Sequence, residues 1–219
     1  RKHLDKRVVY LALRRLRSTH LGCGFKRKSV PQGARVSELI EAHRALLRQW
    51  RQSMNLIGPG ALDDHYEDAE QGLQGWEIEG LWADLGTGAG FPGVVLAARF
   101  PMVRVELIDS RRKRCVFLEE VASRAGASAE NMTVRNIRVE TMDAGIYDGV
   151  VARAFAPPDE VLIHAKRLLK PGGQALLFWL KHQGVSSLPE GMTYGARRDY
   201  TVRGRALCVQ CVVRDAEGT

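Results

Sequence analysis

The string Asp84-Leu-Gly-Thr-Gly-Ala-Gly-Phe-Pro-Gly93 decides the fold. A short apolar run, Leu81–Leu85, leads into it, and the helix-forming segment Gly93–Arg99 leaves it. Strand, glycine turn and helix in that order make a cradle in which a ligand lies against bare backbone. Gly86 and Gly88 let the chain turn sharply where a side chain would obstruct. Pro92 suits the first turn of the following helix, where a missing N–H costs little.

Outward from the turn the pattern keeps alternating. Val103–Asp109 reads as a strand, Lys113–Ala125 as a helix, Met132–Val139 and Tyr147–Arg153 as strands, Asp159–Leu169 as a helix and Ala175–Leu180 as a strand. Met192–Tyr200 and Arg205–Arg214 read as a closing hairpin. This order predicts an α/β, Rossmann-like, doubly wound and mostly parallel sheet with a C-terminal hairpin. On the N-terminal side Val36, Leu39, Ile40, His43, Leu46, Leu47 and Trp50 recur at three- and four-residue spacing, a helix with Ser37 as its N-cap. Residues 54–60 break it, and Leu62–Leu73 forms a second helix. These make a helical extension over 36–75 on a domain running from 36 to 219.

Of the net charge of +8, residues 1–36 carry 11 Lys/Arg against the single acid Asp5, and the remaining residues 22 Lys/Arg against 24 acids. Basicity therefore belongs to an arm over 1–35, which suits a polyanion such as nucleic acid. A solvated leader and the remnant of an organellar targeting segment are the other readings of this arm. Within it, 1–22 reads as a short basic helix and Gly22–Gly33 as a linker. No apolar run reaches the roughly 20 residues that span a bilayer. Cys208 and Cys211 form a C-x-x-C pair, but strand alternation puts them on opposite faces, as packed thiols rather than metal ligands.

Two ligand fingerprints overlap in the turn. Gly88, Gly90 and Gly93 satisfy G-x-G-x-x-G, the dinucleotide form. Asp84 with Gly86, Gly88 and Gly90 satisfies D-x-G-x-G-x-G, the S-adenosylmethionine form. The Asp84 carboxylate opposes a pyrophosphate and suits an ammonium and a sulfonium, so S-adenosylmethionine is the expected cofactor. Asp109 follows Gly90 by 19 residues, where a carboxylate accepts ribose hydroxyls. Val139 and Glu140, expected at the end of the third strand, flank an adenine there. Arg153 ends the fourth strand at the same ligand-binding edge; the alternative reading is a salt bridge to Asp84 or Asp148.

With those residues in place, the chain resembles the small-subunit ribosomal RNA methyltransferase G family, also called glucose-inhibited division protein B. The resemblance rests on Trp50-x-x-x-Met-Asn-Leu56, the Asp84–Gly93 turn, Leu107–Ser110 followed by Lys113-Arg114, Arg138–Glu140, Arg153–Ala156, Leu168–Gly173 and Leu180-Lys181. It implies a class I methyltransferase that transfers a methyl group from S-adenosyl-L-methionine to guanine N7 in small-subunit ribosomal RNA. Family cofactor contacts carry over to Gly86, Phe91, Asp109, Val139, Glu140 and Arg153, beside Asp84 and Gly88 from the turn itself. Two positions depart from the family: Asp64 and Ala69 replace its usual residues, while His65 and Asp68 match.

Guanine N7 carries a lone pair and no proton, so no acid–base residue is expected and catalysis is positioning. His65 and Asp68 are then structural, and Arg153 and Lys181 are the candidates for holding cofactor or an RNA phosphate. Arg111–Arg114 is a second candidate phosphate grip. No metal is expected. The expected partner is small-subunit ribosomal RNA or its precursor particle, met by a monomer away from membranes in the cytoplasm, with a mitochondrial or plastid matrix as the alternative. Two other readings stand beside the enzyme: an inactive methyltransferase-fold assembly factor that binds the same RNA, and an NAD-linked oxidoreductase.

Overall fold

The computed structural model describes residues 32–54, 61–181, 184–185 and 187–216. The predicted helix over 1–22, most of the predicted linker and residues 55–60 lie outside them.

Seven strands form one sheet: β1 Leu81–Leu85, β2 Arg104–Ile108, β3 Met132–Arg135, β4 Tyr147–Arg153, β5 Leu169–Leu180, β6 Met192–Val202 and β7 Arg205–Arg214. Their order is β3-β2-β1-β4-β5-β7-β6, parallel from β3 to β5 and antiparallel for β7 and β6. The predicted doubly wound sheet and C-terminal hairpin are both present. The order reverses between β1 and β4, and it is at such a switch point that ligands bind.

Alternation along each strand sorts the side chains between two cores. Trp82, Val151, Leu176, Phe178 and Val209 face one side. Four helices cover it: α1 Gln32–Met54, α2 Leu62–Leu73, α3 Gly93–Arg99 and α4 Arg112–Ala125. Ala83, Leu85, Val150, Ala152 and Leu177 face the other, where α5 Pro158–Leu168 is the helical cover. The N-terminal extension is thus part of the core. Leu39, Leu46 and Leu47 of α1 are almost wholly buried, each contributing roughly 2 kcal/mol through apolar burial. Cys208 and Cys211 are both buried, and Cys211 belongs to the four-helix side. Their odd spacing puts Cys208 on the opposite face.

Most boundaries shift by a residue or two from those read in the sequence, and some by more. The first helix starts at Gln32, so Ser37 sits inside it and is no N-cap, and the division at 35/36 falls within a helix. The third strand stops at Arg135, because its partner β2 ends at Ile108 and the ladder ends with it. Val139 and Glu140 lie in a separate 3-10 turn, Val139–Thr141. The fifth strand begins at Leu169 and absorbs Lys170–Gly173 as a register shift between Tyr147/Leu169 and Gly149/Gln174. Among the described residues no helix is long and apolar enough to cross a membrane, and no group of His, Cys, Asp or Glu is placed to hold a metal.

Candidate cofactor and substrate site

The turn between β1 and α3 is built from glycines at positive φ: Gly86 at 65°, Gly88 at 58° and Gly90 at 98°. Backbone bonds brace it, with Thr87 N–H donating to Ile108 O at 2.9 Å and Gly90 N–H to Thr87 O at 2.7 Å. Asp84 fastens it from behind. Its Oδ2 accepts from the Thr87 hydroxyl at 2.6 Å and from Gly93 N–H at 2.9 Å. Strand parity explains this direction: Asp84 shares the face of Trp82, toward α3.

Asp84 is wholly buried, and its Oδ1 has no hydrogen-bond partner among the described residues. Burial pushes its carboxyl up to about 6, against the opposing pull of the Thr87 and Gly93 hydrogen bonds. It lines neither lobe of the cleft described below. By its motif alone Asp84 is a charge that selects the ligand; its observed contacts instead hold the shape of the turn.

A cleft with two lobes opens in front of the turn. The smaller, about 220 Å3, is lined by Asp109, Ser110, Arg111, Arg138, Val139 and Glu140. Although the chain leaves the third strand early, Val139 and Glu140 still reach Asp109. The larger lobe, about 470 Å3, runs from Gly88, Phe91, His65, Asp68 and Arg153 to Trp179 and Arg205. Both volumes together suit a ligand larger than a simple metabolite. Gly86, Arg114, Ala154 and Phe155 line both lobes and mark their junction. A Cβ on Gly86 would stand 2.2 Å from the Phe155 ring, so the bare glycine lets that ring close on the turn. Ala154, at φ 53°, adopts a conformation that costs a non-glycine residue about 1 kcal/mol, and so aims Phe155 at the junction.

Asp109 is 4% exposed. Its Oδ1 accepts from Arg111 N–H at 2.8 Å, and its Oδ2 from Gly88 N–H and Arg114 Nη1, each at 3.1 Å. A carboxylate has about four acceptor positions, so one remains for a hydroxyl donor. Arg114 of the basic run is thereby committed to Asp109, and Arg112 pairs with Glu119, leaving Arg111 and Lys113 exposed.

Arg153 forms an ion pair with neither Asp84 nor Asp148. Its Nη1 lies 2.8 Å from Asp68 Oδ2, while Asp148 pairs with Lys170. Asp68 Oδ1 accepts from the Tyr200 hydroxyl at 2.6 Å. The Arg153 guanidinium carbon also stands 5.0 Å from the centre of the Phe91 ring, within cation–π range. Phe91 is buried among His43, Tyr66 and His65 at ring separations of 5.1, 4.8 and 5.6 Å. Lys181 is not brought to the cleft: it is exposed, and its ammonium sits 3.0 Å from Asp199 on the hairpin.

His43 and Tyr200 were not legible as site residues. His43 read as one more member of the apolar stripe of the first helix, and it is indeed wholly buried. Yet its Nε2 meets Ala89 O at 2.6 Å and its Nδ1 meets the Tyr66 hydroxyl at 2.8 Å. A histidine among leucines was the only signal. Tyr200 lies 132 residues from Asp68, and no local pattern joins them.

The fold and site define a class I, S-adenosylmethionine-dependent methyltransferase. Gly88 carries the fit to the cofactor: a Cβ there would meet nothing nearer than 3.7 Å, so the missing side chain leaves the cleft clear. The rRNA small subunit methyltransferase G family matches residues 36–189, and the chain belongs to that family. Its relatives include proteins called ribosomal RNA small subunit methyltransferase G. That of Methylobacterium radiotolerans is 39% identical over 149 residues, covering 64% of this chain and 69% of the relative. Those of Rhodospirillum centenum and Caulobacter sp. are 42% and 38% identical, covering 63% and 79% of this chain and 64% and 79% of theirs. Solved structures share the fold at low identity. A mutant form of MtNAS superposes with TM-score 0.55 at 12% identity over 84% of this chain and 71% of its own. P. horikoshii TYW2 in complex with MeSAdo gives 0.51 at 15% over 72% and 63%.

Proposed function

We propose that this chain transfers a methyl group from S-adenosylmethionine to N7 of a guanine in small-subunit ribosomal RNA. The observation that carries the reading is the junction at Gly86, where a lobe bearing a buried carboxylate meets a lobe with no unengaged acid. The smaller lobe suits the nucleoside part of the cofactor, with Asp109 toward the ribose and Val139 and Glu140 beside the adenine. Gly86 and Gly88 offer backbone to the amino-acid part, and Phe91 and Arg153 wall the far side.

Bound S-adenosylmethionine supplies an electrophilic methyl carbon on a sulfonium. The guanine N7 lone pair forms the new N–CH3 bond, the C–S bond breaks, and its electron pair stays on sulfur as a neutral thioether. No proton moves, so the chain needs only to align donor and acceptor and to exclude water. Asp68 is held by Arg153 and Tyr200 and so acts as a brace rather than a base. Arg153 orients the turn side of the cleft, and Lys181, tied to Asp199, has no part.

A binding-only assembly factor is not favoured, since the family match includes the intact turn. The names of the bacterial relatives support small-subunit ribosomal RNA as the partner, and on this reading the chain acts as a monomer in the cytoplasm, on the RNA or its precursor particle. Transfer of labelled methyl to small-subunit particles, followed by borohydride and aniline cleavage at 7-methylguanosine, tests the reading. Label without cleavage would move the target away from N7, and absence of label would remove the enzyme.

A further inference from the structure

The larger lobe extends beyond the region that the cofactor reading accounts for. Beside Phe155 its lining includes the apolar residues Pro158, Val161, Trp179 and Leu207, together with Arg205. Trp179 is half-buried near the end of β5, opposite Cys208 in register. Phe178 turns to the four-helix face, where its ring abuts Gly72. Trp179 turns the other way and packs against the α5 core. Its indole is therefore anchored on one side and open to the cleft on the other.

Arg205 stands out by comparison with its neighbours on the hairpin. Arg197 is held by Asp199, Arg198 by Gln74 and Arg203 by Asp64. The Arg205 side chain is exposed and makes no ion pair or hydrogen bond among the described residues. Trp179 and Arg205 approach the same lobe from the two faces of the sheet at its edge, and an indole face with an uncommitted guanidinium matches a nucleotide in an unpaired strand, whose base stacks and whose phosphate binds the cation.

We infer that Trp179 and Arg205 form the subsite for the RNA strand, with a base of the target segment on the indole and an adjacent phosphate on the guanidinium. This rests on the methyltransferase reading and assigns its second reactant a place. Methylation at N7 leaves the purine ring positively charged. Trp is the ring that best accommodates a cation, so the platform suits substrate and product alike.

The test uses the full chain and a labelled, unstructured oligoribonucleotide. Trp179→Ala and Arg205→Ala are each expected to weaken oligoribonucleotide binding roughly tenfold, within the range for lost stacking or a phosphate contact. S-adenosylmethionine affinity should stay unchanged in both. Trp179→Phe should restore most of the RNA affinity. Arg205→Ala should reduce the slope of log K against log salt by about 1, which a packing defect would not do. In methyl transfer, both variants should raise KM for RNA more than they lower kcat. RNA affinity and salt slope that stay at wild-type values in both variants overturn the subsite. If the wild-type chain binds the oligoribonucleotide through these residues but transfers no methyl, the enzyme reading fails while the subsite stands.

Discussion

The Nε2 atom of His43, in the middle of the first helix, lies 2.6 Å from the carbonyl oxygen of Ala89 in the glycine turn. That oxygen can only accept, so Nε2 carries the proton and donates. Nδ1 is then the acceptor for the Tyr66 hydroxyl at 2.8 Å. One neutral imidazole therefore ties both N-terminal helices to the turn. His43→Leu leaves the Ala89 carbonyl and the Tyr66 hydroxyl without this partner in a buried setting. A loss of about 2–4 kcal/mol in unfolding free energy is expected, with weaker S-adenosylmethionine binding because the turn loosens. Tyr66→Phe should cost only about 1 kcal/mol. Denaturant titration and calorimetry check both, and a His43→Leu chain as stable as wild type removes the tie.

Acid should act on His43 and Asp84 in opposite directions. Burial lowers His43 from 6.5 to about 4, so the unfolded chain takes up this proton first as pH falls. Its contribution is present above pH 6.5 and is lost on the way to 4, about 3 kcal/mol in all. Burial raises Asp84 from 3.8 to about 6, so here the folded chain is protonated first. Its contribution is full below 3.8 and is lost as pH rises through 6, again about 3 kcal/mol. The two nearly cancel between pH 4 and 6.5. Asp84→Asn should therefore lose stability on acidification more steeply than wild type, and His43→Gln less steeply. Denaturant midpoints from pH 7.5 to 4.5 measure this, and parallel profiles for all three proteins would falsify the assignment.

The sheet, the glycine turn and the positions of Asp109 and Arg153 were legible because they follow from local periodicity and strand ends. Pairings across the fold were not. Asp68 meets Arg153 across 85 residues, and the sequence offered Asp84 and Asp148 as nearer candidates. The direction in which Asp84 points was not legible for a specific reason: the motif gives its charge but not its face. Parity relative to Trp82, and the resulting bond to Gly93, decided the direction. Val139 and Glu140 were placed at the right edge for the wrong reason, since the strand ends four residues before Val139.

The Asp68 brace should behave as a unit. Arg153 and Asp68 are 18% and 15% exposed, so removing one leaves the other poorly solvated. Asp68→Asn is expected to cost about 2–3 kcal/mol, and Tyr200→Phe about 1 kcal/mol. A double-mutant cycle between Asp68→Asn and Arg153→Gln should return a coupling of about 1–2 kcal/mol. Methyl transfer should fall in Asp68→Asn even at saturating cofactor, because Arg153 loses its fixed position beside Phe91. Additive effects in the cycle would mean the contact is incidental.

Gly88 separates cofactor binding from folding. It sits at φ 58°, where alanine is strained by about 1 kcal/mol, but its Cβ would clash with no neighbour. Gly86 sits at φ 65°, and its Cβ would strike the Phe155 ring at 2.2 Å. Gly88→Ala should therefore fold with a small drop in Tm while binding S-adenosylmethionine at least tenfold more weakly, since the methyl group occupies the cleft. Gly86→Ala should lose both stability and binding, because Phe155 is displaced. Adding Phe155→Ala to Gly86→Ala removes the ring it strikes and should recover part of the stability. Thermal melts with and without cofactor separate the two cases. A Gly88→Ala chain that keeps the wild-type cofactor-induced rise in Tm would place the cofactor away from the turn.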